Sequence, residues 1–216
     1  MNPASITDLV RSYRKIKPRI NKRLAEFRKI RKDADENIFA ELCFCILTAN
    51  ANALMCDKAI SELKDAGLLL RGSACRIKPK LKGRVRFHNK KADFIILARN
   101  LLNNDACLSL KECLDMNDIT TTRDWLVKNV KGYGYKEASH FLRNIGLGAD
   151  IAILDRHILK NLRKYGVINK IPPSVGSRKV YMAIEDKMRA FSSRIGIPMD
   201  SLDLLLWSLQ TGFIFK

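Results

Sequence analysis

The sequence has no Cys-x-x-Cys pair, and none of its six cysteines lies beyond Cys113. Metal-site spacing is therefore missing. Cys43, Cys45, Cys56, Cys75, Cys107 and Cys113 stand mostly among apolar residues, as in ELCFCIL, and are expected to be reduced, mostly buried thiols. No apolar run reaches the roughly 18 residues that a membrane span needs. The opening MNPASITDLVRSYRK has no apolar signal core, so the chain reads as intracellular. Alternating strand patterns are scarce, and LLLRG and GFIFK are too short to decide. There is no internal repeat and no low-complexity linker. Acids are also few: 22 Asp and Glu face 40 Lys and Arg, for a formal charge of +18. That deficit says little about fold and much about partners, since a polyanion is the natural one. Membrane surfaces are anionic too, so charge alone does not choose between them.

What the sequence does contain is helical periodicity. Residues 4–30, 37–50, 54–69, 90–103, 118–130, 135–145, 155–165, 176–195 and 198–212 each carry apolar residues at three-to-four spacing. The expected fold is all-α. At 216 residues, 47% of them hydrophobic, the chain is one large domain or two small subdomains sharing a cleft. Basic residues gather in two places. Residues 11–32 hold eleven Lys or Arg against one acid, Glu26, and read as a solvated helix face. Residues 71–91, RGSACRIKPKLKGRVRFHNKK, hold nine and no acid. With Gly, Pro and one aromatic, that stretch is expected to be a loop that meets nucleic acid.

The stretch NVKGYGYKEASHFLRNIG, residues 129–146, raises the sharpest chemical question. Gly132 and Gly134 turn the chain between two helical patterns, free to adopt positive φ or to let another backbone approach closely. The helix that follows offers unpaired N–H groups and a positive dipole end, which can hold a phosphate without reading sequence. A plain αα-hairpin with a glycine turn is the simpler alternative. Lys136 sits in the first turn of that helix, where acids are preferred. A place that disfavours a cation suits a reactive amine, although a lysine merely exposed to solvent would look the same. Nineteen residues on, Asp155 follows the apolar run IAIL and opens another helix. As a bare residue it is an N-cap. Paired with Lys136 it gains a second reading, because one helix and one loop would bring both helix starts to the same cleft.

VKGYGYK followed by LDRH resembles the helix–hairpin–helix DNA glycosylase superfamily. ELCFCILTANANA, RFHNKKA and the ending LLLWSLQTGFIFK are closer still to the archaeal-type second class of 8-oxoguanine DNA glycosylase/AP lyases. The resemblance implies two helical lobes flanking a DNA-binding cleft, the hairpin lobe spanning roughly 54–154 and the other built from the N- and C-terminal helices. It implies a bifunctional enzyme that removes 8-oxoguanine from duplex DNA and cuts the strand by β-elimination. Lys136 would be the nucleophile that forms a Schiff base, and Asp155 the catalytic carboxylate. Gly132 and Gly134 would bind the DNA backbone. Phe87, Trp207 and Lys216 would contact the extruded base, and Asn50 and Asn52 would probe the opposite strand. Phe87 and Trp207 would otherwise be core residues, Asn50 and Asn52 a helix C-cap, and Lys216 a frayed terminus. The oxidised base gains an N7–H donor, which a terminal carboxylate would accept and normal guanine would lack. Many superfamily members hold an iron–sulfur cluster on four C-terminal cysteines; here no cofactor is expected. The expected partner is damaged duplex DNA, with a monomeric protein in the cytoplasm or nucleoid of an archaeal or thermophilic prokaryote. Two alternatives stay open: a glycosylase of the same superfamily for another oxidised base, and a non-enzymatic DNA-binding module.

Overall fold

Leu9, Tyr13, Ile20, Leu24 and Phe27 line one face of helix α1, Ile6–Ile30, and are its buried residues. The computed structural model describes residues 5–104, 107, 108, 110–115 and 117–216, with the side chains of Asn104, Cys107 and Leu108 outside the description. After α1 come α2 (Asp35–Thr48), α3 (Ala53–Asp65), α4 (Leu68–Arg71), α5 (Ala74–Leu81) and α6 (His88–Leu102). Then follow α7 (Leu110–Cys113), α8 (Ile119–Asn129), α9 (Tyr135–Asn144), α10 (Arg156–Lys164), α11 (Arg178–Ile195) and α12 (Met199–Thr211). Strands β1 (Asn103–Asn104) and β2 (Cys107–Leu108) form one two-residue antiparallel pair, Asn103 opposite Leu108. The fold is all-α. Periodicity places helix ends to within two residues except over 54–69, which breaks where Gly67 turns left-handed at φ 66. Among the described residues no helix is long and apolar enough to cross a membrane.

The basic stretch 71–91 is not a loop. It carries α5 and the start of α6. Ile77 and Leu81, four residues apart, are fully buried and anchor the two turns of α5, while the cations between them face outward. Pro79 removes one hydrogen bond from α5 without preventing the helix. Nor are all its charges uncompensated, because acids arrive from neighbouring helices. Lys78 pairs with Asp93 at 2.9 Å and Arg84 with Glu62 at 2.5 Å. The hydrogen bond from Arg84 holds the Glu62 carboxyl below its ordinary range.

The chain divides into two compact units. One is Ile30–Phe141; the other is Met1–Lys29 with Leu142–Lys216. The expected hairpin lobe of roughly 54–154 begins and ends later than the first unit. At the centre of that unit lies α2, buried from Ile38 to Thr48 and packed by α3, α6 and α7. A helix apolar on all sides belongs inside a core. Cys43, Cys45 and Cys56 are buried there, so most of the described thiols are buried as expected, while Cys75 is exposed and Cys113 half-buried. Cys107 lies outside the described side chains.

In the second unit, α10 and α11 pack on α12. Residues Ile151–Leu154 cross its interior with no regular structure. Buried backbone must still be paired, and side chains do it. The Tyr181 hydroxyl donates to the Ala152 carbonyl at 2.7 Å and accepts from the Leu154 N–H at 3.2 Å. Glu185 accepts from the Ala152 N–H at 2.7 Å. Nearby, buried Arg143 pairs with buried Asp203 at 3.0 Å and lies 4.9 Å over the Phe27 ring. Burial pushes the Asp203 carboxyl up to about 7 even though Arg143 pulls it down.

Tyr181→Phe strands a donor and an acceptor of this segment and is expected to cost about 1–3 kcal/mol, read as a lower urea midpoint. Native Asp203 keeps its proton to about pH 7, while an ordinary carboxyl releases it near 3.8. Its contribution to stability is thus full below that lower value and is lost as pH rises to the higher one. Urea midpoints across this window should fall with pH in the parent chain and flatten in Asp203→Asn; an unchanged slope would show that another group titrates.

Candidate active site

The hairpin depends on one left-handed residue. Gly132 has φ 90, and a Cβ there would lie 2.6 Å from the ring of Phe94. Both the backbone and the space therefore demand glycine. The turn closes with the Tyr133 N–H on the Val130 carbonyl at 3.1 Å. Buried Tyr133 pins it to α2, donating its hydroxyl to the Leu42 carbonyl at 2.9 Å. Gly134 does not take positive φ; its N–H donates to Glu137 Oε2 at 3.2 Å.

Lys136 occupies the first turn of α9 with a fifth of its side chain exposed. Its Nζ lies 3.4 Å from Glu137 Oε1. Glu137 thus serves twice, closing the helix start through Gly134 and pairing the amine. Sequence reasoning passed over it, although an acid three residues beyond a helix-start residue is the mark of a capping box. The Lys136 charge also reaches α3: the Lys91 and Lys136 ammonium groups draw the Cys56 thiol down, against a burial that pushes it up to about 11. Lys91 itself is held below its ordinary value by burial.

Asn50 is not inside the α2 cap. The C-cap is Ala49, and Asn50 follows in left-handed backbone at φ 54. Asn52 is the N-cap of α3, its side chain accepting from the Met55 N–H at 3.2 Å. Phe87 is not core: it precedes α6 at φ 57 and is 58% exposed, with the Arg86 guanidinium 5.3 Å over its ring.

The remaining candidates belong to the other unit. Asp155 caps α10, Oδ1 accepting from the His157 and Ile158 N–H groups at 2.8 Å each. Trp207, half-buried in the last turns of α12, meets Phe213 edge-on at 5.3 Å, and Phe213 meets Phe215 in the same way. Arg23 donates to the Phe215 carbonyl at 3.4 Å, and Lys216 is half-buried rather than a free end. Among the described residues no three His, Cys, Asp or Glu side chains are grouped to hold a metal ion.

A family model described as 8-oxoguanine DNA glycosylase matches residues 20–197. The chain belongs to the 8-oxoguanine DNA glycosylase family. It is 41% identical over 211 residues to the 8-oxoguanine DNA glycosylase/AP lyase of Fusobacterium nucleatum, covering 97% of this chain and 96% of the relative. The Methanocaldococcus jannaschii enzyme of the same name is 40% identical over 202 residues, 93% of each chain. Among solved structures, the 8-oxoguanine glycosylase/lyase of that archaeon in complex with a 15mer DNA containing 8-oxoguanine superposes with a TM-score of 0.85. It is 36% identical, with 96% of this chain and 99% of that one covered. The Thermotoga maritima 8-oxoguanine DNA glycosylase gives 0.87 at 35% identity, with 98% of each chain covered. Within this family chain, the hairpin, the Lys136 helix start, Asn50 and Phe87 all belong to the Ile30–Phe141 unit, and Asp155, Trp207 and Lys216 to the other.

Gly132→Ala forces a side chain into left-handed backbone, about 1–2 kcal/mol, and adds the collision with Phe94. A thermal melt should show a clearly lowered midpoint, whereas Gly134→Ala, with no positive φ, should lose less.

Proposed function

We propose that this chain is a DNA glycosylase with AP lyase activity that removes 8-oxoguanine from duplex DNA. The observation that carries the reading is Lys136, a primary amine in the first turn of α9 behind the Gly132 hairpin, in a chain of the 8-oxoguanine DNA glycosylase family. The target base must leave the stack before C1′ can be reached. Phe87, Trp207 and Lys216 contact it outside, and Asn50 and Asn52 probe the strand it left. Lys136 Nζ attacks C1′, the base departs with the C1′–N bond pair and takes up a proton, and the opened sugar forms an imine with the amine. Loss of a C2′ proton then expels the 3′ phosphate and cuts the strand. The Asp155 carboxylate stabilises positive charge as it develops on the sugar. Gly132 and Gly134 let a phosphate approach the hairpin backbone, and the exposed cations around 71–91 add affinity without sequence preference. The protein acts as a monomer on damaged DNA inside a prokaryotic cell.

Borohydride reduces an imine to a permanent protein–DNA adduct. With a duplex carrying one 8-oxoguanine, the parent chain should give this adduct. Lys136→Gln should not, and nor should Lys136→Arg, which keeps the charge but lacks the primary amine. An adduct with either variant would remove Lys136 from the mechanism. Binding without an adduct by the parent chain, on this and other oxidised bases, would leave only a DNA-binding module.

A further inference from the structure

Among the described residues, Asn50 and Phe87 are the two that hold left-handed backbone without being glycine, at φ 54 and 57. That conformation costs a residue with a side chain about 1–2 kcal/mol, so the surroundings must hold it. One lysine touches both turns. Lys91, one turn into α6, donates its backbone N–H to the Phe87 carbonyl at 3.0 Å. Its side chain runs to the end of α2, where Nζ donates to the Leu47 carbonyl at 2.6 Å and the Ala49 carbonyl at 2.7 Å. Leu47 lies in the last turn of α2 and Ala49 is its C-cap, where acceptors are left unpaired and a cation is favoured. Lys91 is only 4% exposed, and burying an ammonium is costly unless it is well bonded.

We infer that Lys91 is a positioning residue, a strut that holds the Asn50 turn and the Phe87 turn at one fixed separation. The inference rests on the function proposed above, in which Phe87 meets the extruded base and Asn50 the opposite strand. The Phe87 ring, more than half exposed, depends on its backbone for its direction. The Asn50 turn has the same need: it is stretched between the end of α2 and the Asn52 cap of α3, with the Ala51 N–H on the Thr48 carbonyl at 3.2 Å. With the strut in place, a duplex meets both contacts in one register. Without it, each turn relaxes by itself and the two readings lose their common frame.

The experiment compares two duplexes, one with 8-oxoguanine and one with a pre-formed abasic site, which has no base to receive. In Lys91→Met, single-turnover excision of 8-oxoguanine should fall about 10- to 100-fold, the effect of misplacing a contact by an ångström, while imine trapping at the abasic site falls less than about threefold. Excision rates against the four opposite bases should also converge. Equal losses on both duplexes, or no loss, would overturn the strut. Should Lys91→Met fail to fold, Lys91→Gln decides: its shorter amide reaches one carbonyl, so the same unequal loss is expected on a smaller scale, and equal losses again overturn it. A parent chain inert on both duplexes would instead refute the proposed function, and this inference with it.

Discussion

Backbone groups left unpaired at the ends of helices must be bonded by something, and most of what matters in this molecule follows from how that is done. Glu137 reaches back to the Gly134 N–H, Asp155 takes two N–H groups of α10, Asn52 takes one of α3, and Lys91 takes two carbonyls at the end of α2. Each is a polar side chain held by a helix end. Lys136, Asp155, Asn50 and Phe87 all stand at or beside such ends, because there the chain can leave a regular helix and still satisfy its hydrogen bonds. An all-α fold that must present chemistry has few other places to put it.

The same obligation explains the buried polar groups of the second unit. Ile151–Leu154 runs through its interior to reach Asp155, and a strand partner is replaced by Tyr181 and Glu185. The direction in which Asp155 leaves this segment is therefore fixed from α11, not by the segment's own sequence. The hydrogen bond from Arg143 to Asp203 adds a buried polar contact whose value lies more in holding a geometry than in net stability, since desolvation works against it. In the first unit the equivalent support is Tyr133 on the Leu42 carbonyl, which ties the hairpin to the most buried helix.

The excess positive charge is spent unevenly. Lys78 and Arg84 are engaged by acids from α6 and α3, and Lys91 is buried. Arg76, Lys80, Lys82, Arg86 and Lys90 stay exposed. Folding thus sorts one basic stretch into structural cations and cations free to meet phosphate, a distinction worth making because only the second group releases counterions on binding.

By itself the sequence determined most of the helices, since an apolar stripe at 3.6-residue spacing is local information. It determined the glycine turn before Lys136 and the Asp155 cap for the same reason: each is written within a few residues. Tertiary structure decided the rest. That 71–91 folds as helix depends on Ile77 and Leu81 finding a core, which outweighs Gly and Pro. That the Lys91 ammonium is buried at the end of α2 depends on a bond to Leu47, forty-four positions away in sequence. Among nine like charges Lys91 carries no distinguishing mark, because a long-range hydrogen bond leaves no periodicity. Only packing α6 against α2 brings its ammonium to the carbonyls that select it.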